Sequence, residues 1–124
     1  IDDPNGHYDD RPWIAHLDAA LDGSSSAPAL RLGLSHRPKG FELMAERDVE
    51  LTLSGHTHGG QLGLGDRSLM QGLAENAYLR GFYKKGGSQL YTSSGAGHWA
   101  AFRIACPTEL ALLTVTSSRV GTDV

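Results

Sequence analysis

The sequence predicts an α/β fold, and a strand–helix–strand pattern near its middle carries that prediction. Short apolar runs of strand length occur at residues 29–34 and 49–53, and Pro38 opens a segment of helical character between them. This order forms a βαβ unit, in which the two strands run parallel and the crossover is right-handed. With 124 residues, 40% of them hydrophobic, the chain fits one domain with a buried core.

A first helix is predicted upstream of this unit. Apolar residues recur at helical spacing after Asp10, which can cap the helix, and before Gly23, which can end it. The apolar residues of this stripe are Trp13, Ile14, Leu17, Ala20 and Leu21.

Downstream of the unit, glycine becomes frequent and the predicted elements are short. The turn signal Gly86-Gly87 precedes an apolar run that predicts a strand at residues 90–92. The other downstream predictions are loops at 55–65 and 95–99, a short helix at 68–77, a final strand at 110–115 and a polar tail at 117–124.

The composition excludes several classes of protein. The net charge of −3 argues against a nucleic-acid partner, which would normally be met by a basic face. One cysteine excludes an internal disulfide framework, and no apolar run approaches the ~20 residues that span a bilayer. Because the chain begins at Ile1 and not at methionine, we expect it to be a piece of a longer protein.

Histidine follows both strands of the βαβ unit. His36 ends the first strand segment, and His56 and His58 follow the second. Parallel strands place their carboxyl ends at one edge of a sheet, where ligands bind in open α/β folds. We therefore expect the three imidazoles to converge on a metal such as zinc, iron, copper or nickel, the alternative being ordinary loop histidines. A binuclear site also needs a bridging oxygen ligand, so either the metal is single or further ligands lie upstream of Ile1.

The histidine segment resembles a known family motif. Residues 54–61, Ser-Gly-His-Thr-His-Gly-Gly-Gln, resemble the Gly-His-x-His motif of calcineurin-like metallophosphoesterases, with the Gly-Gly-Gln typical of the bacterial YkuE/YaeI-like branch. Residues 34–38 resemble the family's preceding metal histidine, and residues 81–83, 89–97 and 102–110 are similar to its C-terminal motifs. Ala101 departs from the pattern, because the family usually has proline there.

The resemblance implies the C-terminal half of a metallophosphoesterase α/β/β/α sandwich, in which residues 1–116 belong to the domain. The family's first three motifs are absent, so the chain requires the N-terminal half of its own domain and is expected to be inactive alone. Two divalent metal ions (Mn, Fe or Zn) are implied, one bound by His36 and His56 and the other by His58. His98 and Arg103 are candidate substrate contacts, with a plain loop histidine and a structural salt bridge as the respective alternatives.

The implied reaction is hydrolysis of a phosphoester, at a phosphodiester or pyrophosphate bond. The substrate would be a nucleotide-lipid or a small phosphodiester, and the protein would be cytoplasmic or peripheral at the inner face of the membrane. Two other functions remain open from the sequence. One is a mononuclear zinc-binding hydrolase that uses the three histidines, and the other is a non-catalytic metal-binding or regulatory module.

Overall fold

The computed structural model describes residues 10–22, 30–65, 67–72 and 78–116. Helices and a mixed sheet are both present, which confirms the predicted α/β class. The helices are α1 (Asp10–Leu21) and α2 (Phe41–Ala45), and short 3₁₀ turns span Pro38–Gly40, His58–Gln61 and Leu69–Gly72. The strands are β1 (Leu32–Ser35), β2 (Leu51–Ser54), β3 (Gly63–Leu64), β4 (Arg67–Ser68), β5 (Gly81–Lys85) and β6 (Ser88–Thr92). No helix within the described ranges is long and apolar enough to cross a membrane.

The main sheet has four strands in the order β1-β2-β6-β5, and β3 pairs with β4 in a separate two-stranded ribbon. Strands β1, β2 and β6 run parallel, whereas β5 runs antiparallel to β6 as one arm of a hairpin. The predicted βαβ unit is therefore present. Its two strands end side by side, since Ser35 pairs with Ser54, and Ser54 pairs with Thr92 of β6.

One face of the sheet carries the core. Gly33, Thr52 and Leu90 lie in one row across the strands, and Thr52 and Leu90 are fully buried. Helix α2 covers this row, because Phe41 is fully buried and the Met44 sulfur lies 3.3 Å from the Thr52 hydroxyl. A Cβ on residue 33 would come within 2.6 Å of that sulfur, so the close approach of helix to sheet requires glycine there.

The opposite face of the sheet is apolar and more exposed. Leu34, Leu53, Tyr91 and Phe82 form one row across all four strands, and Leu34 is 74% exposed. Among the described elements, none covers Leu34. The face therefore presents a continuous hydrophobic strip toward solvent.

A polar cluster joins α2 to the β5–β6 hairpin. The Tyr78 hydroxyl donates to the Glu42 carboxylate, and the Lys85 ammonium forms an ion pair with the same group. The Lys85 and Tyr78 hydrogen bonds lower the pKa of Glu42. Burial, followed by the hydrogen bond to Glu42, raises the pKa of Tyr78 to about 12.

Three predicted elements differ in the structure. Residues 110–115 form no strand, because no described segment pairs with them, and Leu110 is almost completely exposed. The predicted helix at 68–77 is a 3₁₀ turn over Leu69–Gly72, and residues 73–77 lie outside the described ranges. The predicted loop at 55–65 contains a 3₁₀ turn and β3.

Some terminal predictions fall outside the part of the chain that the structure describes. These are the helix stop at Gly23 and the tail at 117–124. Helix α1 matches its predicted position, with Asp10 as its first residue. The division into a domain over 1–116 and a tail stays a prediction.

Candidate metal centre

The loop after β2 has an unusual backbone. His56, His58 and Gln61 have positive φ angles of 69°, 50° and 57°, and Gly59 and Gly60 share this left-handed region. Non-glycine residues rarely adopt such angles, and those that do concentrate at functional sites. The loop begins at the carboxyl end of β2, so its strained residues lie at the edge of the sheet where the sequence predicts ligand binding.

Hydrogen bonds from Thr57 stabilise the left-handed backbone of this loop. Its hydroxyl accepts from the Gly59 amide at 3.3 Å and donates to the Leu79 carbonyl at 2.5 Å. The second bond ties the histidine loop to the segment that enters β5. A single hydroxyl thus connects the histidine loop to the residues that precede β5.

His36 and His56 lie next to each other. Their ring centroids are 4.6 Å apart, with the ring planes inclined at 63°. His36 follows β1, and its carbonyl accepts from the Gly55 amide at 3.3 Å, which fixes the two strand ends together. The parallel pairing of β1 and β2 therefore brings together two imidazoles that are twenty residues apart in the sequence.

His58 points toward a different loop. Its Nδ1 lies 3.1 Å from the Gly97 carbonyl oxygen and 3.5 Å from an Arg103 nitrogen. Across the described ranges, no three or more His, Cys, Asp or Glu side chains form a group that could hold a metal ion. The expected convergence of all three imidazoles on one point is therefore not seen, because the left-handed turn after His56 carries His58 toward residues 95–97.

The residues at this edge fit a divalent metal ion as part of a larger ligand set. His36 and His56 offer adjacent imidazole nitrogens, the ligand type that zinc, iron and related ions accept. A hydrogen bond from His58 Nδ1 to Gly97 leaves its Nε2 as the nitrogen that can bind a metal. The buried Ser54 and Thr92 hydroxyls, also at this edge, have no hydrogen-bond partner among the described residues.

Arg103 organises the loop that faces His58. Its two terminal nitrogens donate to the backbone carbonyls of Ser94, Gly95, Gly97, Cys106 and Pro107. A guanidinium that donates hydrogen bonds to five backbone carbonyls stabilises the loop. These bonds explain the position of the side chain without a salt bridge or a phosphate contact. The role of Arg103 as a substrate contact stays a prediction. His98, the other candidate contact, lies exposed in the same loop.

Gln61 is a second organising residue, and its importance is not evident from the sequence alone. Its side chain is 1% exposed and makes four hydrogen bonds to the loop at residues 99–102. The amide nitrogen donates to the Ala100 and Phe102 carbonyls, and the amide oxygen accepts from the Trp99 and Ala100 amides. The only sequence signal is its place directly after Gly59-Gly60 in the histidine motif.

Cys106 and Gly59 pack together beneath the histidine loop. Cys106 is 1% exposed, and its sulfur lies 3.5 Å from the His58 carbonyl oxygen. A Cβ on Gly59 would come within 2.6 Å of that sulfur, while its φ of +64° already disfavours any other residue. Cys106 is thus a buried structural thiol, as the sequence predicts.

Comparison with known proteins identifies relatives over most of the chain. It is 42% identical over 100 residues to an uncharacterized metallophosphoesterase of Helicobacter pylori J99 and 38% identical over 110 residues to the uncharacterized metallophosphoesterase Cj0846 of Campylobacter jejuni. It is also 34% identical over 95 residues to the phosphodiesterase YaeI of Escherichia coli. These matches cover 78%, 87% and 73% of the chain but only 26%, 28% and 34% of the relatives. No family model matches the chain, and no solved structure matches it significantly.

Proposed function

Because the chain belongs to the metallophosphoesterase family, we propose that the protein of which it forms part hydrolyses phosphoesters with the help of divalent metal ions. The chain spans about a quarter to a third of the length of these relatives, and we propose that the remaining metal ligands lie outside it. The observation that carries the proposal is the contact between the His36 and His56 rings at the carboxyl edge of the sheet.

In this proposal the site binds two metal ions. His36 and His56 bind one ion, and His58 binds the other through Nε2, while the remaining ligands come from the N-terminal half of the domain. Bound divalent ions supply Lewis-acid stabilisation of the charge that develops on the phosphoryl group. Mn, Fe and Zn all accept such ligands, so the geometry of the full site and metal availability decide between them.

The chain's own residues contribute position and rigidity. The Gly97 carbonyl lies within hydrogen-bond distance of His58 Nδ1, and by accepting from it would leave Nε2 as the nitrogen that could bind a metal. Arg103 holds that carbonyl in place through its bonds on both sides of the loop. Gln61 fixes the following segment. These backbone contacts would hold the His58 imidazole in position before a metal binds.

A metal-binding and hydrolysis assay on the full-length protein tests the proposal. We expect about two divalent ions per chain and hydrolysis of a simple phosphodiester such as bis(p-nitrophenyl) phosphate. His56→Ala should lower the bound metal and reduce kcat by about a thousandfold, since metal stabilisation contributes several kcal/mol and each 1.36 kcal/mol is about tenfold. His16→Ala is the matched control, because His16 lies exposed on α1.

Each alternative gives a different result in this assay. One tightly bound zinc per chain, with hydrolysis retained, would support the mononuclear hydrolase. Stoichiometric metal binding without hydrolysis of any phosphoester would support the non-catalytic module. Equal activity of the wild type and His56→Ala would refute the assignment of His56 to the metal.

A further inference from the structure

A row of hydroxyl side chains crosses the sheet at its carboxyl edge. Ser35 of β1 pairs with Ser54 of β2, which in turn pairs with Thr92 of β6. These residues lie two positions beyond the buried row that contains Thr52 and Leu90, so they occupy the same face of the sheet. Ser35 and Ser54 are each 8% exposed and Thr92 is 0% exposed, so the core encloses all three side chains.

Two hydroxyls of this row have no hydrogen-bond partner. The Ser35 hydroxyl donates to the Arg37 carbonyl at 2.7 Å. In contrast, none of the described residues forms a hydrogen bond with the hydroxyl of Ser54 or of Thr92. A buried hydroxyl without a partner loses its hydration and gains no bond in exchange, so native proteins rarely contain one. Two such groups on neighbouring strands therefore indicate a small polar molecule bound between them.

The spacing of the two hydroxyls fits one water molecule. Neighbouring strands lie ~4.8 Å apart, and paired residues project to the same side of the sheet. Two hydrogen bonds of about 2.8 Å that meet at one oxygen span a similar distance. Buried waters typically bond to polar groups that are otherwise unsatisfied. A charged ligand fits less well, because two neutral hydroxyls would not compensate the burial of its charge.

The end of β2 connects this hydroxyl pair to the metal centre. Ser54 lies two residues before His56, and its carbonyl accepts from the Ser93 amide at 2.8 Å. The next amide along the chain, that of Gly55, donates to the His36 carbonyl at 3.3 Å. A displacement of Ser54 would therefore reach His56 through one intervening residue, and would also disturb the contact between β2 and the His36 segment.

We propose that Ser54 and Thr92 bind one ordered water between their hydroxyls, and that this water holds the end of β2 so that His56 stays in position to bind a metal. Ser54 and Thr92 are then positioning residues, which act on the metal centre through His56. The water site does not depend on the proposed function, whereas its effect on metal binding rests on that function.

A crystal structure of the full-length protein, at a resolution that shows ordered waters, tests the water site directly. We expect one water within hydrogen-bond distance of both the Ser54 and the Thr92 hydroxyl. A protein side chain bonded to either hydroxyl would overturn the water site, and so would the lack of an ordered water between them.

Metal titration of full-length variants tests the positioning role. Thr92→Val keeps the volume of the side chain but removes the hydroxyl, and we expect the Kd for Mn²⁺ in calorimetry to rise about tenfold. Thr92→Ser keeps the hydroxyl but removes a methyl group, and its Kd should stay within about threefold of the wild type. Thr52→Val is the matched control, because Thr52 is also fully buried and its hydroxyl contacts the Met44 sulfur. We expect the control to bind Mn²⁺ within about twofold of the wild type.

The two Thr92 variants separate hydrogen bonding from packing. A packing role predicts the opposite order, in which Thr92→Ser weakens Mn²⁺ binding more than Thr92→Val. That order, or equal losses in Thr92→Val and Thr52→Val, would overturn the positioning role. A wild-type protein that binds no divalent ion would contradict the proposed function and the positioning role with it. The crystal structure alone decides the water site, so the two failures are distinguishable.

Discussion

The Gln61 side chain offers the sharpest test of how the site is held together. Replacement by leucine keeps a similar volume but removes all four hydrogen bonds to residues 99–102. We expect Gln61→Leu to destabilise the protein and to release this loop. The backbone change is small, because glutamine and leucine both carry a Cβ at the positive φ of residue 61.

The size of the effect follows from the contacts. A net 0.5–1.5 kcal/mol per hydrogen bond, over the four bonds, gives about 2–6 kcal/mol. Trp99 is 71% and Phe102 is 55% exposed, so water can reach the loop once it opens and satisfy part of the freed backbone. The expected loss is therefore in the lower half of that range, about 2–4 kcal/mol.

Equilibrium unfolding in urea measures this loss, and amide hydrogen exchange locates it. The Trp99 and Ala100 amides lose their acceptor in Gln61→Leu, so their exchange should accelerate while β6 stays protected. Gln89→Leu is the control, because Gln89 is an exposed glutamine of β6. A loss below about 1 kcal/mol for Gln61→Leu, or one equal to that of Gln89→Leu, would refute the reasoning.

Four further predictions depend on other contacts in the structure. Gly59→Ala should cost at least about 1–2 kcal/mol in urea unfolding, because its φ is +64° and the new Cβ would meet the Cys106 sulfur, whereas Gly55→Ala, which meets nothing within 4 Å, should be tolerated. Arg103→Lys should weaken binding of a divalent ion by about tenfold in calorimetry, because a lysine ammonium cannot donate hydrogen bonds to carbonyls on both sides of the loop. An unchanged affinity for the ion would contradict the positioning role of Arg103. The folded pKa of Tyr78 is about 12, above its ordinary 10.0, so its neutral form is favoured and its contribution to stability is complete below pH 10.0 and lost as the pH rises toward 12. Absorbance titration should show a late-ionising tyrosine that Tyr78→Phe removes. The pKa of Glu42 is lowered, so the stability that its carboxylate contributes is present above its ordinary pKa of 4.5 and is lost as the pH falls below that value. In acid unfolding, Glu42→Gln should remove this part of the pH dependence of stability.

The sequence predicted the elements whose signals are local. The βαβ unit depends on two apolar runs and Pro38, and the parallel pairing of β1 with β2 is the arrangement expected of consecutive strands joined by a helix. The contact between His36 and His56 needs only that pairing, so it follows from chain order. The β5–β6 hairpin was predicted in part. The Gly86-Gly87 turn and β6 have a signal in the sequence, whereas β5 is defined by its backbone pairing with β6.

Features that depend on distant backbone were not predictable in this way. The direction of His58 is set by the left-handed backbone of residues 56–61 and by Gly97, which lies 39 residues away in the chain. The roles of Gln61 and Arg103 likewise arise from bonds to backbone carbonyls, which any sequence provides. Residues 110–115 show the converse case, because an apolar pattern forms no strand where none of the described segments pairs with it.

The apolar strip on the sheet also bears on behaviour in solution. Leu34 lies on β1, which is the edge strand of the sheet over the described residues, and its unpaired backbone groups adjoin that strip. An open strand edge beside exposed leucine is a template for pairing between molecules. A preparation of these 124 residues should therefore self-associate as its concentration rises, and screening for soluble, monodisperse material should start at low concentration.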